Sequence, residues 1–168
     1  MELLRFESIQ ALPQRKFEEV CKINNWDDDN VPSDYAFISI IGTQDCLKHI
    51  NEEDTTHYFK KQHDNVLNLA FDDVDEDFEL EGYKIKAITD EQAKAIVDFV
   101  ERNKEKKFLV HCRAGQSRSV AIVNFIYTYY RDLHADVNYK FDTMNHCVNR
   151  KLNKAFREKN NNFFENGF

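Results

Sequence analysis

"KFLVHCRAGQSRSVAIVNF", Lys107 to Phe125, decides the fold. "KFLVH" is a short apolar run that follows two lysines and reads as a buried strand. "SVAIVNFIYTYYRDL", from Ser119 on, is apolar almost all round and reads as a buried helix. Between them lie Cys112, Gly115 and two arginines, Arg113 and Arg118, in a chain with only four glycines and four cysteines. Strand, short loop and helix in this order form a unit whose loop sits at a strand's carboxyl end, where open α/β sheets bind ligands.

Outward from this unit the pattern repeats. "YAFISIIG" (35–42) and "NVLNLAF" (65–71) read as two further buried strands. Thr89 opens a helix: Gln92 follows three residues on as a capping box, and Ala93, Ile96, Val97 and Val100 fall at helical spacing. A short helix is expected after Pro13, and one or two more over 137–156. The acidic stretch "DDVDEDFELEGYKIK" (72–86) reads as a loop, and the tail 157–168 as a segment that frays or docks. Strands separated by helices predict an α/β fold, a central, mostly parallel sheet flanked by helices, in a single domain over 1–168.

Composition narrows the function classes. The 42% hydrophobic content suffices for a core, and the net charge of −7 argues against a nucleic-acid or anionic-membrane binder. Cys21, Cys46, Cys112 and Cys147 form no C-x-x-C pair. No signal peptide is expected at Met1–Arg5 and no run is long enough to span a bilayer, so the expected setting is cytoplasmic, with free thiols.

The 112–119 loop is built for an anion. A helix N-terminus supplies free N–H groups and the positive end of a dipole. A loop entering it turns successive N–H groups inward, and Gly115 relieves the turn. The same field favours thiolate over thiol at Cys112, which makes the sulfur a nucleophile. Arg118 can hold two oxygens of a phosphate bidentately. The nucleotide-binding pattern G-x-x-x-x-G-K-[ST] is absent.

"HCRAGQSRS" resembles the H-C-x-x-G-x-x-R-[ST] loop of the protein tyrosine phosphatase superfamily. In length and layout the chain looks like a compact dual-specificity-type enzyme of the predicted protein tyrosine phosphatase group. The resemblance implies a cysteine phosphatase fold and a cofactor-free, metal-independent hydrolysis through a phosphocysteine. By it Cys112 is the nucleophile, and the backbone of Arg113, Ala114, Gly115, Gln116, Ser117 and Arg118 cradles the phosphate. Arg118 clamps it, Ser119 assists the leaving thiolate and His111 supports Cys112 from behind. The family's general acid follows an L-x-F-x-D pattern that Leu69, Phe71 and Asp73 fit, with Asp72 as the alternative. The expected partner is a phosphorylated protein or peptide, carrying phosphotyrosine or also phosphoserine and phosphothreonine. The competing readings are a phosphatase for an RNA 5′-phosphate or a phosphoinositide, and a phosphate-binding pseudophosphatase.

The remaining polar residues have plainer expectations. His49, His57, His63, His134 and His146 form no metal-ligand spacing. Cys46 is a small buried residue or a disulfide partner for Cys112 under oxidation. Arg150, Lys151, Lys154, Arg157 and Lys159 form a solvated helix face or a docking patch for an acidic partner. Asp75 through Glu81 are solvated charges.

Overall fold

The computed structural model describes residues 9–130 and 141–165, with the side chains of 141 and 162–165 excepted. Its centre is a four-stranded parallel sheet of β1 (Ile9–Pro13), β2 (Tyr35–Ile41), β3 (Val66–Ala70) and β6 (Lys107–Cys112), in the order β1-β6-β2-β3. The three strands expected from the sequence are all present. β1 was not anticipated: "IQALP" is partly polar and pairs only with β6, at the sheet edge. Because every strand runs the same way, Pro13, Ile41, Ala70 and Cys112 end on one side of the molecule.

Helices cover both faces. The alternation of side chains along β2 and β6 divides the core in two. Tyr35, Phe37 and Leu109 pack with Phe17 and Val20 of α1 (Gln14–Ile23). Ala36, Ile38, Ile40, Phe108 and Val110 pack with α3 (Asp90–Arg102), α4 (Arg118–Tyr130) and α5 (His146–Glu165). α4 is buried along most of its length, as its apolar sequence predicts. α5 gathers the helical signal of 146–156 into one element, preceded by a 3-10 turn at Phe141–Thr143. The start of the 137–156 stretch, the end of "YYRDL", His134 and the last three residues lie outside the described residues. No helix among the described residues is long and apolar enough to cross a membrane.

The acidic stretch is not a plain loop. It holds an antiparallel hairpin, β4 (Phe78–Leu80) and β5 (Tyr83–Ile85). Its turn places Glu81 at φ 51° and Gly82 at φ 84°, the two positive values that a tight primed hairpin turn requires. The hairpin rests on α2 (Gln44–His49): Lys84 N–H donates to Asp45 Oδ2 at 2.9 Å and the Tyr83 and His49 rings lie 5.4 Å apart. Asp77 is likewise not free. It accepts from the Ala87 N–H and from Lys86 Nζ, each at 2.9 Å, and the Lys86 bond leads in holding its carboxyl below the ordinary range.

The basic residues of α5 tie it to α3. Lys151 and Lys154 pair with Asp90 at 3.3 and 3.1 Å, and Lys159 with Asp98 at 2.6 Å. These three are ion-paired within the fold at its surface, while Arg150 and Arg157 are exposed.

The capping box at Thr89 is complete. Thr89 Oγ1 accepts from Gln92 N–H at 3.1 Å and Gln92 Oε1 accepts from Thr89 N–H at 3.0 Å. Thr89→Ala is expected to cost about 1 kcal/mol, read as a lower urea midpoint with an unchanged slope.

Candidate active site

The loop after β6 lies where the sequence expects it, at the carboxyl end of a central strand. Its path is set by Gly115, which has φ +68°. A Cβ there would stand 2.4 Å from Pro13 N and 2.5 Å from Leu12 C. No other residue permits that approach to β1. The same approach lets Gln14 N–H donate to the Arg113 carbonyl at 3.3 Å.

Two more loop carbonyls are taken from outside. The Gln116 carbonyl accepts from Thr143 Oγ1 at 2.7 Å, and the Ser117 carbonyl from Asn145 N–H at 3.3 Å and Ala121 N–H at 3.1 Å. In a trans peptide the N–H points opposite to its carbonyl. The N–H groups of Ala114, Ser117 and Arg118 are therefore directed away from these outer partners. Gly115 and Ser119 N–H act on the Cys112 sulfur itself.

Cys112 is buried, and burial by itself pushes its thiol up. Ser119 Oγ at 3.1 Å, the Ser119 N–H, the Arg118 charge and the Gly115 N–H outweigh that, so the net shift is below the ordinary thiol range. Ser119 is thus in contact with the sulfur it is expected to serve. Arg118 is only 6% exposed; its Nη1 donates to the Phe71 carbonyl at 2.7 Å, and its buried Nε has no partner among the described residues. That leaves a fixed cation with donor capacity left at the loop.

The two adjacent aspartates have opposite surroundings. Asp72 is 2% exposed and accepts from Thr43 N–H at 2.8 Å, Thr43 Oγ1 at 2.7 Å and Lys86 N–H at 2.7 Å. It brackets the end of β3 to the cap of α2 and the exit of β5. Asp73 is exposed, and its Oδ1 accepts from Ser117 Oγ of the loop at 2.7 Å and from Asn145 Nδ2 at 2.8 Å. Asp73 therefore stands against the cysteine loop, while Asp72 is committed to structure.

Asn145 was not singled out from the sequence. It is 7% exposed, and its Oδ1 caps α5 by accepting from Val148 N–H at 2.9 Å. One residue so fastens helix and carboxylate through its side chain and the loop through its backbone N–H. The N-cap pattern before "HCVNRKL" was its only local signal.

These groups line one cavity of about 300 Å³, with Cys112, Ser117 and Arg118 at the loop and Asp73 beside them. Ile41, Leu47, Ile50, Val74 and Ile85 give it an apolar wall. Arg113 and Glu52, both on the lining, are ion-paired with each other.

No family model, curated protein or solved structure matches the chain.

Cys46 also lines the cavity. Burial, then the Asp72 charge, pushes its thiol up to about 11, and burial pushes that of Cys21 up to about 12. All four cysteines are free. His111 lies behind Cys112, and burial holds its pKa down to about 3, so the ring is neutral.

A depressed thiol ionises at lower pH. Iodoacetamide is therefore expected to label Cys112 at pH values where Cys21 and Cys46 stay protonated and unlabelled, by peptide mass spectrometry. Ser119→Ala should move the Cys112 profile to higher pH.

Proposed function

We propose that the protein is a cysteine-dependent phosphatase, with the fold of that family, acting on phosphotyrosine in proteins. The observation that carries this reading is the convergence of three groups on one cavity. They are a thiol held below its ordinary range, a buried arginine with an unpartnered donor, and an aspartate hydrogen-bonded to the same loop.

In this reading the phosphate dianion sits against Arg118 and the loop N–H groups. The Cys112 thiolate attacks phosphorus, the bond to the ester oxygen breaks, and Asp73 as its acid delivers a proton to that oxygen. The product is an alcohol or phenol and a phosphocysteine. Asp73, now a carboxylate, takes a proton from water as water attacks phosphorus. Sulfur then leaves, with the Ser119 hydroxyl donating to the re-formed thiolate. Each proton that Asp73 gives in the first half is recovered in the second.

The apolar wall supports an aryl rather than an alkyl leaving group, because it buries a ring. The pairing of Arg113 with Glu52 supports a single phosphate over a polyanion. It occupies the loop's second cation, which a phosphoinositide or a 5′-triphosphate end would need. Retention of Cys112 and Arg118 supports turnover over mere binding.

Wild type is expected to hydrolyse an aryl phosphate in EDTA, and Cys112→Ser to abolish it. Full activity in that variant would remove the reading. Asp73→Asn should lower kcat by roughly 10²–10⁴-fold with little change in the thermal midpoint. Asp72→Asn should instead destabilise the fold.

Asn145→Asp keeps an acceptor for the α5 cap but deletes the amide donor to Asp73. A fall in kcat of about tenfold with a wild-type melting curve is expected from loss of aim; an unchanged kcat would show that Ser117 alone positions Asp73.

A further inference from the structure

A hydrogen-bonded chain reaches the cysteine strand from the α1 face of the sheet. Ser39 of β2 is 1% exposed. Its Oγ lies 2.7 Å from His111 Nε2 and 2.7 Å from His57 Nδ1. The ladder pairs Ser39 directly with His111, so the first contact follows from strand register. The His111 ring is held against Phe17, with centroids 4.4 Å apart. His57 comes from the segment between α2 and β3 and is only partly buried.

Ser39 has one hydroxyl proton. It donates to one imidazole and accepts from the other. Any other arrangement leaves a buried hydroxyl or ring nitrogen unpaired, at about 1–3 kcal/mol. The two rings are therefore coupled in opposition. When His57 carries a proton on Nδ1 it donates to Ser39, Ser39 donates to His111 Nε2, and His111 must hold its proton on Nδ1. When His57 Nδ1 is bare, Ser39 donates to it, and His111 Nε2–H donates to Ser39. His111 Nδ1 is buried with no hydrogen-bond partner among the described residues, and the Cys112 backbone lies against the ring. The chain therefore sets whether this buried edge carries a proton where the loop begins.

His111 itself does not switch by charging, because burial keeps it neutral and the Arg118 charge opposes a second proton. His57 is the accessible end of the chain. Burial also lowers its pKa. From α1, the Gln14 amide reaches the Thr56 carbonyl at 3.5 Å and donates to Glu18 at 3.0 Å.

We propose that His57 is a positioning residue that acts through Ser39 to set the tautomer of His111 and, through it, the reactivity of the Cys112 thiolate. The proposal rests on Cys112 as the nucleophile, but its test needs no turnover.

The test reads ring-nitrogen NMR shifts of ¹⁵N-histidine protein across the titration of His57, together with iodoacetamide labelling of Cys112 against pH. In wild type the His111 nitrogens are expected to change with the His57 midpoint while His111 stays neutral. In His57→Ala and Ser39→Ala the Cys112 labelling profile should move by about half a pH unit, roughly threefold in rate at a fixed pH. His57→Asn, which keeps a polar atom near the Nδ1 position, should restore part of the shift. His111 nitrogens indifferent to His57 titration, or a His57→Ala labelling profile superimposed on wild type, would overturn the proposal. The wild-type NMR arm holds even where a variant fails to fold. A protein that hydrolyses no aryl phosphate yet shows the tautomer coupling would sink the phosphatase reading alone. Hydrolysis without the coupling would sink only the role of His57.

Discussion

The site depends on one close passage of backbone over backbone. At Gly115 the loop runs so near Leu12 and Pro13 that a methyl group would overlap the main chain of β1. That approach fixes where the loop lies over the sheet edge, with Gln14 N–H drawing the Arg113 carbonyl outward. With the carbonyls of Gln116 and Ser117 also held by surrounding groups, the peptide planes are set before any ligand arrives. In the proposed reading an anion then meets oriented dipoles that need little reorganisation. The thiol of Cys112 senses the same dipoles, so anion affinity and sulfur ionisation share one cause.

The "DD" at 72–73 divides one strand end between a carboxylate held in the fold and one that faces the loop. Successive residues point to opposite sides. Asp72 turns inward, where three donors compensate the desolvation of its carboxylate. Asp73 turns toward the loop and meets Ser117 and Asn145. The inner aspartate fixes the backbone that aims the outer one. Arg118 reinforces this from the other side, because its bond to the Phe71 carbonyl grips the residue just before the pair.

What was legible in the sequence was mostly local. The strand–loop–helix unit, the strands at 35–42 and 65–71 and the Thr89 cap each carry their signal in one contiguous stretch. β1 was hidden because an edge strand need not be apolar throughout, and "IQALP" leads into a proline that suits a helix start. The hairpin was hidden by its charges, although Glu81–Gly82 is the turn that pairs Phe78 with Ile85. Asn145 and His57 were illegible for a different reason. Asn145 meets Asp73 across 72 positions, and His57 meets His111 only through Ser39. Contacts of that kind are made by packing, and no periodicity announces them.

The arrangement of charge bears on what can enter. The chain carries a net charge of −7. Glu52, Asp72 and Asp73 all line the cavity. Long-range attraction of an anion is therefore weak, and affinity must come from contacts made after entry. Those contacts are short-ranged and directional: one guanidinium, a ring of N–H groups and an apolar wall. A ligand with several dispersed negative charges gains little from them and meets repulsion at the rim. One compact dianion on an apolar ring gains from all three. In the proposed reading the acidic surround acts as a filter, and the cationic loop at the cavity floor supplies the binding that the filter leaves possible.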